Sequence, residues 1–163
     1  MIAIVDYGVG NLFSLCSSLE CIGVEACVTG DADRIRKADK IILPGVGAFA
    51  DAAKALEDSG LGSVIREAAA EGKEIMGICL GMQLLFERSF EYGEHKGLGL
   101  LRGSVVPMKG AIPEDLKIPH IGWNALHEYP STQNRLNIIL FVSGSRPTIR
   151  ISSVLGILAT SSF

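Results

Sequence analysis

Gly77-Ile78-Cys79-Leu80-Gly81-Met82-Gln83 sets one cysteine between two glycines where a strand pattern gives way to a helical one. The short apolar run Glu74-Ile75-Met76 precedes it, bounded by Gly72 and Lys73, and Leu84, Leu85 and Phe86 continue a helical pattern after it. A residue forced into so sharp a turn stands at the top of a sheet with its side chain exposed. Its neighbours must be small for the backbone to bend. These are the mechanics of a nucleophile elbow, here with sulfur in place of a serine oxygen. The helix that follows turns free N–H groups and its positive dipole end toward the sulfur, which favours thiolate. The plainer alternative is a buried structural thiol, the common fate of free cysteine. The paired glycines weigh against that, and the remainder of the chain decides.

Working outward, strand-like and helix-like stretches alternate. Ile2–Asp6 is a short run rich in β-branched residues, and Asn11 to Ile22 has helical periodicity through Leu12, Leu15, Cys16 and Leu19, closed by Gly23. Val24–Val28 reads as a second strand, Ala32–Ala38 as a short helix, and Lys40–Leu43 as a third strand stopped by Pro44. Helical stretches near Phe49–Ser59 and Gly62–Glu71 lead into the strand before Cys79. Strands interleaved with helices imply βαβ units and a mostly parallel sheet covered on both faces. Ligands bind such sheets at the carboxyl ends of the strands. Beyond the elbow, residues 87–96 read as a polar surface loop, with short strands at Gly103–Met108 and Ile118–Trp123. Pro130–Asn134 marks a turn or linker, Ile138–Val142 a further strand, and Ser143–Phe163 has no clear period.

Composition narrows the function classes. A chain of 163 residues that is 48% hydrophobic supports one domain with a substantial core. A net charge of −3 without any Lys/Arg cluster offers no footprint for nucleic acid. No apolar run reaches the length of a membrane span, and Met1–Asp6 lacks the basic start of a signal peptide. The four cysteines contain no C-x-x-C pair, which argues against a zinc site and leaves no metal or other cofactor to expect. Reduced thiols and no secretory signal fit a cytoplasmic location.

Two glycine-rich turns compete for attention. Gly8-Val9-Gly10 follows the first strand, with Asp31 at the end of the second, in the manner of a dinucleotide fingerprint. The third glycine position holds Phe13, too bulky for the helix–strand packing that fingerprint needs, so a tight βα turn is the better reading. Pro44-Gly45-Val46-Gly47-Ala48-Phe49 follows the third strand. Its glycines free peptide N–H groups to turn toward a neighbouring site. An acyl-transfer enzyme assembles its oxyanion hole that way, from one loop amide and the amide after the nucleophile, here Leu80.

Together Pro44–Phe49, Gly77–Gln83 and Pro119-His120-Ile121-Gly122-Trp123-Asn124 resemble the class I glutamine amidotransferases. The last segment and the opening Asp6-Tyr7-Gly8-Val9-Gly10-Asn11 narrow the resemblance to the glutaminase subunits of imidazole glycerol phosphate synthases, over roughly residues 1–127. It implies an α/β fold: a flavodoxin-like three-layer sandwich with a mostly parallel central sheet, incomplete at the C-terminus. By resemblance, Cys79 attacks the side-chain amide of glutamine to give a glutamyl thioester and ammonia. Val46 and Leu80 supply the oxyanion amides. Gly47, Gln83 and Glu91 hold glutamine, the Glu91 carboxylate meeting the α-ammonium group. Asn11 and the region of Trp123 face a (β/α)₈-barrel cyclase that receives the ammonia.

One departure stands out. The family carries a His-Pro-Glu segment whose His is general base and whose Glu orients it. This chain has three histidines, His95, His120 and His127, and none has a Glu two residues on. Phe141-Val142-Ser143 lacks a histidine where the family has one, and the chain stops shortly after Leu158-Ala159-Thr160. The expectation is an amidotransferase portion over 1–127 and a divergent, poorly ordered tail over 128–163, as from a truncation or frameshift, with low activity. The alternatives are a catalytically dead docking relative, or another cysteine hydrolase whose base is His95 or His120.

Overall fold

The computed structural model describes residues 1–107 and 157–158. Four short strands, β1 (Ile2–Val5), β2 (Ala26–Thr29), β3 (Lys40–Leu43) and β4 (Glu74–Gly77), pair in parallel in the order β2-β1-β3-β4. The register sets Ile4 beside Val28 on one side and Ile42 on the other, and Leu43 beside Gly77. Parallel neighbours need long crossovers. These are α1 (Leu12–Cys21), α2 (Ala32–Lys37), and α3 (Phe49–Asp58) with α4 (Leu61–Ala70). The chain steps one way from β1 to β2 and the other way from β2 to β3 to β4. Right-handed crossovers therefore put α1 on one face and α2, α3 and α4 on the other. In keeping with this, α4 packs against both α2 and α3.

The period of two is visible in the packing. Ala3, Val5, Ile41, Leu43 and Ile75 share one core with Ile35, Phe49, Leu56, Val64 and Ile65 from the helices. Ile4 and Ile42, which point the other way, are buried outside that cluster. Each fully buried side chain of this size contributes about 1.5–3 kcal/mol over an exposed one. The opposite face is thinner: α1 buries none of its residues, and Phe13 is 83% exposed. Helix starts are capped as their residue types suggest. Asn11 Oδ1 accepts from the Ser14 N–H at 3.2 Å, and Asp31 Oδ1 from the Arg34 N–H at 2.9 Å. Gly23 closes α1 at φ 71°, its N–H donating to Glu20 O.

After β4 the chain departs from the sequence reading. The helix α5 spans only Leu80–Leu84, and Phe86–Ser89 is strand β5 rather than more helix. The carbonyls that would have continued the helix are taken by a returning segment. Leu84 O accepts from Leu98 N, Leu85 O from Leu101 N, and Phe86 O from Gly99 N. Residues 87–96 are likewise not a plain surface loop. β5 pairs antiparallel with β6 (His95–Lys96) and parallel with β7 (Leu101–Val106). A register shift between Phe86 and Arg88 hides the alternation that marks a strand, leaving Glu87 and Arg88 both exposed between buried Phe86 and Ser89.

The second sheet has the order β6-β5-β7-β8, where β8 is Ile157–Leu158 and pairs in parallel with Val105 and Val106. No strand was expected there, because two residues are too few to show a period. The expected strands Ile118–Trp123 and Ile138–Val142, and with them His120, Trp123 and His127, lie outside the described residues. Among the described residues no helix is long and apolar enough to cross a membrane.

Candidate active site

The carboxyl ends of β1, β3 and β4 bring three loops together. In a sheet of this order the topological switch point lies between β1 and β3, the position where such folds bind ligands. Cys79 stands at φ 54°, ψ −118°, a conformation non-glycine residues rarely adopt and one that costs about 1–3 kcal/mol. The surroundings enforce it. The Ile78 N–H donates to Leu43 O at 3.0 Å, the Gly81 N–H to Ile78 O at 3.0 Å, and the Met82 and Gln83 N–H groups both donate to Cys79 O. No side chain fits on either flank. A Cβ on Gly77 would lie 2.4 Å from Met82 Cα, and one on Gly81 only 1.9 Å from Leu43 O. The thiol is free and half-buried. This is the strained elbow that the Gly–Cys–Gly spacing predicts.

The Pro44–Phe49 loop lies against that elbow. A Cβ on Gly45 would sit 2.7 Å from Gly81 N and 3.0 Å from Leu80 Cβ. Leu80 opens α5, where a backbone N–H has no intrahelical acceptor. Among the described residues, neither the Leu80 nor the Val46 N–H is spent in a hydrogen bond. Gly47 holds φ 95° with open space where a side chain would be. Gln83 is buried within α5, one turn from the sulfur.

Glu91 reaches the same loop from the β5–β6 hairpin, and its Oε2 accepts from the Phe49 N–H at 2.7 Å. The structure thus brings Cys79, Leu80, Gln83, Val46, Gly47 and Glu91 to neighbouring segments. It adds a capping duty for Glu91 that the sequence reading did not contain.

Asn11 caps α1 and is exposed on the loop that follows β1. That loop abuts the Pro44 loop, since a Cβ on Gly10 would lie 3.3 Å from the Pro44 ring. Gly8 and Gly10 take φ 86° and 133°, the conformations of a tight turn. Phe13, expected to obstruct helix–strand packing, instead faces solvent. His95 is the one histidine among the described residues, and its Nε2 lies 3.4 Å from where a Cβ on Gly93 would be, within the hairpin.

Sequence reasoning missed Tyr7. Its ring is buried, and its hydroxyl donates to Pro44 O at 2.7 Å, across the switch point. Burial first, and the negative charge of Cys79 second, raise its pKa well above the usual tyrosine range, so the hydroxyl stays a donor. The available signal was a lone aromatic just past the end of the first strand, beside the switch point.

The model of the CobB/CobQ-like glutamine amidotransferase domain matches residues 10–112.

The chain belongs to the glutamine amidotransferase family.

Within the glutamine amidotransferases, the chain is 52% identical over 127 residues to the imidazole glycerol phosphate synthase subunit HisH of Sulfurimonas denitrificans, covering 77% of this chain and 61% of that protein. It is 52% identical over 124 residues to the subunit of the same name from Aquifex aeolicus, covering 76% and 58%. The chain therefore spans about 60% of the length of these relatives. A solved structure described as a glutamine amidotransferase shares the fold at a TM-score of 0.57 and 23% identity, over 66% of this chain and 57% of that one.

Proposed function

We propose that the chain is the glutamine-hydrolysing portion of an imidazole glycerol phosphate synthase, with the amidotransferase part in residues 1–127 and cytoplasmic operation. The Cys79 elbow, held at positive φ against the Pro44–Phe49 loop, carries this reading. The Cys79 thiolate attacks the side-chain carbonyl carbon of glutamine, forming the sulfur–carbon bond while the carbonyl oxygen gains negative charge. The Val46 and Leu80 N–H groups stabilise that charge. Collapse breaks the carbon–nitrogen bond, and the departing nitrogen takes a proton from solvent to leave as ammonia. Water then attacks the thioester and releases glutamate and free Cys79. Gly47, Gln83 and Glu91 hold the substrate, one Glu91 oxygen serving Phe49 and the other left for the α-ammonium group. The ammonia passes to a barrel cyclase that docks beside Asn11 and Trp123. Neither step requires a metal or an organic cofactor.

The proton traffic needs a base. None of the three histidines within these 163 residues is followed two residues later by Glu, so none of them is assigned as that base. The second reading is a docking relative that binds the barrel without hydrolysing glutamine. Ammonia release from L-glutamine by the whole chain, alone and with a barrel cyclase, separates the two. A rate abolished by Cys79→Ala supports hydrolysis through Cys79. Binding to the cyclase with no Cys79-dependent rate supports the docking relative. A rate unaffected by Cys79→Ala overturns the assignment of the nucleophile.

A further inference from the structure

The glycine-rich loop beside Cys79 is pinned at both ends by side chains from elsewhere in the chain. At one end Glu91 holds the Phe49 N–H, and at the other Tyr7 holds the Pro44 carbonyl at 2.7 Å. Resting on the assignment of Cys79 as nucleophile and Val46 as oxyanion donor, we propose that Tyr7 is a positioning residue, its hydroxyl fixing the Pro44–Gly45 peptide so that the Val46 N–H is aimed at the developing oxyanion.

Three observations carry this. Leu43 O is already committed to the Ile78 N–H, so Pro44 O is the first carbonyl beyond the β3–β4 contacts and needs its own donor. Tyr7 supplies that donor from just past the end of β1, the strand on the other side of the switch point, and its ring is buried, which gives the hydroxyl a fixed origin. Gly45 sits directly against it, since a Cβ there would lie 2.8 Å from the Tyr7 hydroxyl oxygen. Gly45 and Gly47 give the loop wide rotational freedom. A planar peptide held by its carbonyl loses one of the rotations by which the following N–H could wander. Oxyanion donors act only when held at the place where charge develops, so a loosened Pro44 carbonyl weakens chemistry that needs the hole and leaves other chemistry alone.

The test compares two reactions of Cys79 in the whole chain. An L-glutamine analogue carrying a diazomethyl ketone in place of the amide needs its carbonyl polarised in the hole. Iodoacetamide reacts by displacement at a saturated carbon and develops no oxyanion. For Tyr7→Phe, which keeps the buried ring, the ratio of the two rate constants at Cys79 falls about tenfold, the scale of one well-made hydrogen bond lost from the hole's support. The iodoacetamide rate and the thermal melt, read on the same sample, report whether the variant is folded. An unchanged ratio, or two rates that shift in parallel, overturns the positioning role while the Cys79 assignment stands. If the unaltered chain shows no preference for the glutamine-shaped reagent at Cys79, the nucleophile assignment falls and this role falls with it.

Discussion

The backbone N–H of Phe49, the first residue of α3, donates to the Glu91 carboxylate at 2.7 Å across 42 residues of sequence. The residue before it, Ala48, has no side chain able to cap the helix, so the cap comes from the β5–β6 hairpin. A carboxylate at a helix start is favoured by the free N–H groups and the dipole there. The same contact ties the hairpin over the glycine-rich loop beside Cys79.

The capping role of Glu91 and the substrate-holding role proposed for it can be tested separately. Glu91→Ala should lower the unfolding free energy by about 1–2 kcal/mol, the usual loss for a helix cap. Glu91→Gln keeps an acceptor for Phe49 and should lose less than half of that, yet it removes the charge offered to an α-ammonium group. Urea unfolding reads the first effect, and protection of Cys79 by L-glutamine the second. Equal protection in Glu91→Gln and the unaltered chain would leave Glu91 with capping alone.

Cys79→Gly should make the protein more stable. The positive φ of Cys79 costs about 1–3 kcal/mol, and the extra freedom glycine gives the unfolded chain returns about 0.4–1 kcal/mol, for a net gain of about 1 kcal/mol. Thermal or urea unfolding checks it. A loss of stability would mean that the thiol's own contacts outweigh the strain.

Gly81→Ala tests the close approach of the elbow to β3. With only 1.9 Å between the new Cβ and Leu43 O, backbone has to move, and we expect a loss of about 3 kcal/mol, at the upper end for overpacking. Gly23→Ala pays only for its left-handed backbone, with nothing within 4 Å of the new Cβ, and should cost about 1 kcal/mol. Comparable losses at the two sites would contradict the packing described.

Tyr7 gives the protein an alkaline limit with a definite sign. Its folded pKa is raised above the unfolded value near 10, so its contribution is complete below about pH 10. Above that the unfolded chain ionises while the folded chain does not, and stability falls by up to about 1.4 kcal/mol per pH unit from this group. In Tyr7→Phe that component is absent, and the difference between the two stability curves against pH isolates it. Parallel curves above pH 10 would show that the hydroxyl is not held neutral.

Much of the first sheet was legible because its signals are local. β3 matches its predicted bounds, and the Gly–Cys–Gly spacing carried the elbow, including the strain at Cys79. What was illegible depended on partners distant in sequence. The helix after Cys79 ends early because Leu98, Gly99 and Leu101 return to take its carbonyls, and no local pattern announces that. β5 escaped because an irregular register breaks its alternation. Tyr7 escaped because its role exists only once β1 and β3 are neighbours, and the capping by Glu91 only once the hairpin folds back on α3.

We propose that Cys79 is the thiol that receives glutamine. Mapping which of Cys16, Cys21, Cys27 and Cys79 is modified by the glutamine-shaped diazomethyl ketone, by mass spectrometry of the intact chain's peptides with and without excess L-glutamine, tests it most directly. We expect modification of Cys79 alone, suppressed by L-glutamine and not by D-glutamine. Modification spread over the exposed Cys21 and the other thiols, with no protection by L-glutamine, would contradict it.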